Sequence, residues 1–320
     1  MKYLTIPITD LTPSSICLGT ANLGSAIPQN AAFDLLDAYV EQGGNFLDTA
    51  KIYADWLPGE KSISEKTIGT WLQQRKHRDR IIIATKGAHP DFATMHIPRL
   101  SRADIFADVE ASLRNLQIEQ IDLYWLHRDD VNRPVAEILD SLLELTRSGK
   151  IRYFGCSNWQ AERIRAAQTY VQYSGKPGFI ANQMMWSLAV VPQDALADQT
   201  TVAMNAELRE YHSETSLTAI PYSSQANGWF QRMANGTMHQ MNAAQQKMYN
   251  RPENERRFRR AQQLAAETGY SITEIVLAYL QSQPFLTIPI VGCQRLEQLC
   301  ESLQAGDVRL SPEQLQFLEY

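Results

Sequence analysis

The sequence predicts an α/β fold: a closed (β/α)8 TIM barrel with an N-terminal β-hairpin and a long loop after strand 7. Eight short apolar or β-branched runs recur along the 320 residues, separated by segments of helical periodicity. The runs are continuously apolar rather than alternating, as parallel strands covered on both faces are. The turn after the first run reads Gly19-Thr20-Ala21-Asn22-Leu23-Gly24, without the GxGxxG spacing that a doubly wound dinucleotide fold places there. The alternation spans the chain without an internal linker, so residues 1–320 are expected to form one barrel domain.

Taken in order, residues 1–13 carry Tyr3, Leu4, Ile6 and Ile8 in near alternation, broken by Pro7 and Pro13, which reads as a small hairpin able to plug the barrel floor. Strands are expected at 16–18, 45–47, 81–84, 121–126, 151–156, 179–181, 217–220 and 286–288, and helices at 31–42, 64–75, 103–116, 135–147, 161–173 and 199–211. Residues 223–252 are polar and rich in Gln, Asn and Met, and are expected as a long loop with the character of a lid. Arg256, Arg257, Arg259 and Arg260 fall on a helical Ala/Gln pattern beside Glu253 and Glu255, and read as a solvated helix face.

The formal net charge of −5 supplies no broad positive field, so neither nucleic acid nor an anionic membrane is an expected partner. Cys17, Cys156, Cys293 and Cys300 are scattered without a CxxC pair, so neither a disulfide framework nor a metal site is expected. The N-terminus lacks the apolar core of a signal peptide and no stretch approaches the ~18 apolar residues of a membrane span. A cytoplasmic location is expected.

In a parallel barrel the site lies at the C-terminal ends of the strands, so polar residues following apolar runs are the candidates. Strand two leads to Asp48 and Tyr53, strand three to Lys86, strand four to His127, strand five to Ser157 and Asn158, strand six to Gln183 and strand seven to Tyr222. A lysine at a buried strand end must be paired, and Asp48 on the next strand is a natural partner. A tyrosine beside that ammonium would have its pKa drawn down from ~10, as a general acid for an alkoxide needs. Tyr53 is placed to be that acid, and His127 could orient the carbonyl oxygen or share the proton.

Several stretches resemble the aldo-keto reductase family. Gly44-Asn45-Phe46-Leu47-Asp48-Thr49-Ala50-Lys51-Ile52-Tyr53 is similar to its Asp-Thr-Ala...Tyr signature, and Ser64-Glu65-Lys66-Thr67-Ile68-Gly69 to the helix that follows. Ile83-Ala84-Thr85-Lys86, Ile121-Asp122-Leu123-Tyr124-Trp125-Leu126-His127 and Gly149-Lys150-Ile151-Arg152-Tyr153-Phe154-Gly155-Cys156-Ser157-Asn158 resemble its lysine, histidine and carboxamide strands. The likeness runs from about Ile16 to Ser302. It implies reduction of an aldehyde or ketone, such as a small aldehyde, dicarbonyl or sugar, by hydride from NADPH without metal, with Asp48, Tyr53, Lys86 and His127 as the catalytic tetrad. It further implies that Ser157, Asn158 and Gln183 hold the nicotinamide carboxamide and that Tyr222 stacks on the ring. Ser223 and Gln225 would lie near the pyrophosphate, with Gly19, Thr20, Asp48, Gly292, Arg295, Gln298 and Glu301 completing the cofactor site. Arg295 is the cation expected for a 2′-phosphate, while Gln298 stands where the family often has arginine, so NADPH is expected to be preferred and NADH to be usable.

Trp56, His89, Phe92, Trp186, Trp229 and Phe230 are candidate walls of a substrate pocket, with Arg128, Asp129 and Asp130 as polar contacts, and none is singled out for specificity. Two rival readings differ in kind. The same fold could serve as a cofactor-binding regulatory subunit, against which the intact tetrad argues. Lys86 could act as a Schiff-base nucleophile, against which its pairing with Asp48 argues. The oligomeric state is not legible.

Overall fold

The computed structural model describes residues 1–320. Eight parallel strands form the sheet: β1 (Cys17–Gly19), β2 (Phe46–Asp48), β3 (Ile82–Gly87), β4 (Ile121–Leu126), β5 (Ile151–Ser157), β6 (Ala181–Gln183), β7 (Thr218–Ala219) and β8 (Ile290–Val291). Around them lie α1 (Gln29–Glu41), α2 (Ile63–Arg75), α3 (Arg102–Leu116), α4 (Val135–Arg147), α5 (Ala161–Ser174), α6 (Ala206–Thr215), α7 (Trp229–Asn235), α8 (Ala243–Tyr249), α9 (Pro252–Thr268), α10 (Ile272–Gln281), α11 (Leu296–Gln304) and α12 (Pro312–Glu319). Neighbours pair in the order β7-β6-β5-β4-β3-β2-β1-β8. A bridge between Ala219 and Thr287 joins the two ends and closes the barrel.

β4 and α4 occupy the residues expected of them, because Ile121–Leu126 is buried throughout and α4 turns Ile138, Leu139, Leu142 and Leu145 inward at helical spacing. The eighth strand is displaced from 286–288. That segment bonds β7, with Ala219 N–H donating to Leu286 O and Ile288 N–H to Ala219 O, each at 2.9 Å. Pro289 has no N–H to donate, and the ladder to β1 begins one residue later, at Ile290. The helix expected at 199–211 starts late. Residue 202 is held extended by Asn158 Oδ1, and Met185 bonds both Val202 and Met204. Only at Asn205, whose side chain accepts from Leu208 N–H at 2.8 Å, is the helix capped and begun.

Residues 1–13 form the expected hairpin, with Leu4 N–H on Pro13 O and Ile6 N–H on Leu11 O. Ile6 and Leu11 pack among Phe46, Leu123, Trp125 and Ile288 inside the barrel, so the hairpin does plug the floor. The long connection after β7 is present but is not structureless: it contains α7 and α8, anchored by the fully buried Trp229, Phe230 and Tyr249. The arginine run lies on α9 as a mixed face rather than a solvated one. Arg259 is exposed, whereas Arg257 is mostly covered and donates to Leu188 O at 2.9 Å. No helix is long and apolar enough to cross a membrane.

Candidate active site

Parallel register brings the candidates to one height. Asp48 pairs with Gly19 and Ala84, Lys86 with Trp125, and Ser157 with Gln183. His127 follows β4 directly and bonds back to Gly87 O. Tyr53 reaches the same spot because the chain beyond β2 continues the ladder before turning. Thr49 N–H bonds Ala84 O and Lys51 N–H bonds Lys86 O, then Tyr53 N–H folds back on Ala50 O. Ala54, with φ of 68°, completes the reversal in the left-handed region.

Asp48 and Lys86 are both buried, with 1% of each side chain exposed. Lys86 Nζ donates to Asp48 Oδ2 at 2.5 Å, to Thr49 O at 2.8 Å and to Tyr53 Oη at 2.8 Å, which matches three donors to three acceptors. Asp48 Oδ1 accepts from Gln183 Nε2 at 2.9 Å. Tyr53 Oη therefore accepts from the ammonium and retains its own hydrogen for a group in the cavity.

Burial opposes the charge on Lys86, but Asp48 and then Tyr53 outweigh it and hold the ammonium above its ordinary pKa. For Tyr53 the balance differs from the expectation of a lowered pKa. Burial pushes the phenol up, Lys86 pulls it only part of the way back, and Asp48 adds to the rise. The hydroxyl is thus firmly protonated, and the ammonium serves to stabilise the phenolate once a proton has left. Burial, then Arg128, His89 and Lys86, push His127 well below its ordinary pKa, so it is a neutral imidazole suited to orienting an oxygen. Its Nδ1 is buried without a partner.

Outside this cluster, the Trp56 and His127 rings stand edge-on to Tyr53 at 6.4 and 6.1 Å, and Phe92 packs on both Trp56 and His89. Trp56 and Phe92 remain about half exposed and form an aromatic rim. Trp186, Trp229 and Phe230, the other candidate walls, are buried in the helical core and line no substrate face. Arg128 is engaged by Asp198 at 2.8 Å and Thr200 at 2.7 Å, and Asp129 by Arg163 at 2.9 Å. Asp130 is also occupied in its own loop, its Oδ1 accepting from Asn132 N–H.

From Tyr53 and His127 a cavity of about 1040 Å³ runs past Tyr222 to the β8 end. Gly19, Thr20, Asp48, Ser157, Asn158, Gln183, Tyr222, Ser223, Gln225, Gly292, Arg295, Gln298 and Glu301 all line it. Their free valences differ. Asn158 is fully engaged: its amide donates to His127 O and Ser157 Oγ, and its Oδ1 accepts from Val202 N–H and Tyr222 Oη. Ser157 keeps its hydroxyl hydrogen and Gln183 keeps Oε1. Gln298 Oε1 is used on Gln294 N–H, and Gln225 Nε2 on Ser302 Oγ. The long connection after β7, an insert that carries α7 and α8, contributes residues that sequence reasoning missed, among them Asn227, Gln231, Arg232 and Gln245. The density of amide side chains following Tyr222 was the available signal.

The family model described as Aldo/keto reductase family matches residues 15–319. The chain is 29% identical to the aryl-alcohol dehydrogenase [NADP(+)] of Phanerodontia chrysosporium, over 98% of this chain and 83% of that one. It is 28% identical to norsolorinic acid reductase B of Dothistroma septosporum, over 98% and 79%. The crystal structure of the thermostable aldo-keto reductase Tm1743 with the inhibitor epalrestat superposes with a TM-score of 0.73 at 23% identity, covering 100% of this chain and 99% of that one, which supports the same barrel.

Proposed function

The chain belongs to the aldo/keto reductase family, and on that premise we propose that it reduces an aldehyde or ketone to the alcohol with NADPH, acting as one catalytic domain on a small aldehyde, dicarbonyl or sugar. One observation carries the reading: a buried ammonium, Lys86, is tied to Asp48 and holds the Tyr53 hydroxyl at 2.8 Å where it faces the cavity.

The residues suit a nicotinamide dinucleotide. The cavity is at the upper end of ordinary ligand sites in size. Ser157 and Gln183 offer one free donor and one free acceptor, the complement of a carboxamide. Tyr222 presents a ring fixed by its bond to Asn158. When bound, NADPH supplies hydride to the carbonyl carbon. Tyr53 donates its proton to the carbonyl oxygen, Lys86 stabilises the phenolate that remains, and Asp48 keeps Lys86 charged. Neutral His127 orients the oxygen, and the aromatic rim of Trp56 and Phe92 shields it from water. An ammonium held protonated in this way is unsuited to Schiff-base formation. The four unpaired thiols suit the reducing cytoplasm.

The test is NADPH consumption by wild type and Tyr53→Phe across aldehydes, dicarbonyls and aldoses, with cofactor binding followed by fluorescence. We expect multiple turnovers by wild type, and in Tyr53→Phe a rate lower by about 10²–10⁴-fold with cofactor affinity retained. Binding without turnover of any carbonyl by the wild type would overturn the enzymatic reading.

A further inference from the structure

Resting on the reductase reading above, we propose that Arg128 is a second anchor for the substrate, and that the preferred carbonyl compound carries a carboxylate for it to hold. Three arginines line the cavity: Arg128, Arg232 and Arg295. Arg128 is the one at the reacting end, next in the chain to His127, whereas Arg232 lies on α7 and Arg295 follows β8. Lys86, the other cation at that end, has all three of its hydrogens in use on Asp48, Thr49 and Tyr53.

The bonds of Arg128 leave it unsaturated toward the cavity. Its Nε donates to Thr200 Oγ1 at 2.7 Å, its Nη2 to Asp198 Oδ2 at 2.8 Å and its Nη1 to His127 O at 2.8 Å. A guanidinium has five N–H groups, so one hydrogen remains on each terminal nitrogen. The partner Asp198 does not cancel the charge where it matters. The Arg128 side chain is 9% exposed and that of Asp198 34%, and Arg128 lines the cavity while Asp198 does not. The pair is therefore polarised, with its positive end toward a ligand and its negative end toward solvent.

The guanidinium is also fixed before anything binds. Asp198 Oδ1 accepts from Thr200 N–H at 2.9 Å and from Thr200 Oγ1 at 2.5 Å, which locks both partners of Arg128 into one turn of the connection after β6. Behind it, Arg128 O accepts from Trp159 Nε1 at 3.2 Å, and the next residue, Asp129, is held by both Nε and Nη2 of Arg163. A cation immobilised in this way gives up little freedom on meeting an anion, and a hydrogen on each terminal nitrogen suits the two oxygens of a carboxylate. Burial first, and the Arg128 charge second, push His127 and His89 below the ordinary imidazole pKa, which places that charge beside the residue that orients the carbonyl oxygen.

The test is a ratio. With saturating NADPH, kcat/KM for meta- and para-carboxybenzaldehyde and for their methyl esters is measured on wild type, Arg128→Met, Arg128→Lys and Asp198→Asn, with thermal melts to confirm folding. Dividing acid by ester cancels any loss that a substitution causes at the neighbouring His127, so a merely structural role leaves the ratio where it was. In wild type the ratio should exceed about 10 for at least one isomer, fall about 10- to 100-fold in Arg128→Met, chiefly through KM, and recover partly in Arg128→Lys. Asp198→Asn keeps an oxygen for Arg128 and removes the opposing charge, so there the ratio should rise by about two- to fivefold. Should Arg128→Met fail to fold, Arg128→Lys and Asp198→Asn decide on the same ratio. A wild type that favours the esters, a ratio indifferent to the loss of Arg128, or a fall in Asp198→Asn overturns the proposal. If wild type reduces neither acid nor ester, the reductase reading falls, and the anchor is judged by calorimetry with para-(hydroxymethyl)benzoate and its methyl ester: a preference for the anion that vanishes in Arg128→Met supports it, and no binding or no preference sinks it.

Discussion

At the strand-end pole of the cavity, Lys86 matches each of its three donors to an acceptor and Asp48 has a partner on each oxygen, before any ligand arrives. Along the insert, Gln231 Oε1 and Arg232 Nε are buried with nothing to bond. The two poles are also built differently. The first is carried on β2 to β4, within the regular half of the barrel, where β3 and β4 run six residues each. The second hangs on strands of two residues, β7 and β8, and on short helices. The satisfied Asp48–Lys86 pair can hold a reacting geometry without help, whereas unpaired groups, His127 Nδ1 at the strand ends among them, gain their missing bonds from what they bind. Damage at the first should therefore appear in rate, and damage at the second in affinity.

The sharpest break of that contrast would come from Lys86→Met. It removes the stabiliser of the phenolate, so kcat should fall by about 10³-fold or more while Kd for NADPH stays within a few-fold, read by stopped-flow and fluorescence titration on protein checked by melting. A loss shared equally with Kd would show that the poles are not separable. In the wild type the acid form of Tyr53 is the working form for reduction. Its pKa is raised, so kcat should stay flat through neutral pH and decline only above the ordinary phenol range near ~10. A decline beginning near pH 7 would contradict the burial described here.

Trp229→Ala addresses the other pole. The indole is fully buried and donates to Asn250 Oδ1 at 2.7 Å, so its loss should cost about 3–5 kcal/mol of stability by chemical denaturation. Cofactor affinity should weaken, and kcat at saturating cofactor should change less than about threefold. A smaller effect belongs to His89, whose pKa burial, followed by the Arg128 charge, lowers from 6.5 to about 4. The unfolded chain takes up this proton first, so stability is complete above pH 6.5 and declines as pH falls toward 4. The difference between pH 7 and pH 5 should shrink by about 2 kcal/mol in His89→Gln; an unchanged difference would show that this imidazole is hydrated.

The regular half was the more legible one. Continuous apolar runs and strong helical periodicity place β4 and α4 to the residue, and the polar residues at the C-terminal ends of β2, β3 and β4 converge as their positions suggest. The later half was obscured by tertiary contacts. Pro289 divides the pairing of the last strand, Asn158 draws out the residues before α6, and α7 is a seven-residue helix too short to stand without Trp229 and Phe230 in the core. The sign of the Tyr53 shift depends on weighing burial against an ammonium, which no spacing reveals. Arg232 was hidden for a similar reason: Arg295 drew notice by its place in a motif, while the bareness of Arg232 is a property of its surroundings.

The N-terminal hairpin has a consequence for proton traffic. With Ile6 and Leu11 corking the barrel floor, Tyr53 faces water through the mouth that the ligands also use. A product standing in that mouth lies between Tyr53 and bulk water, so regaining the proton is coupled to departure, as in a turnstile. The plug at the floor thus ties the resetting of Tyr53 to traffic at the mouth.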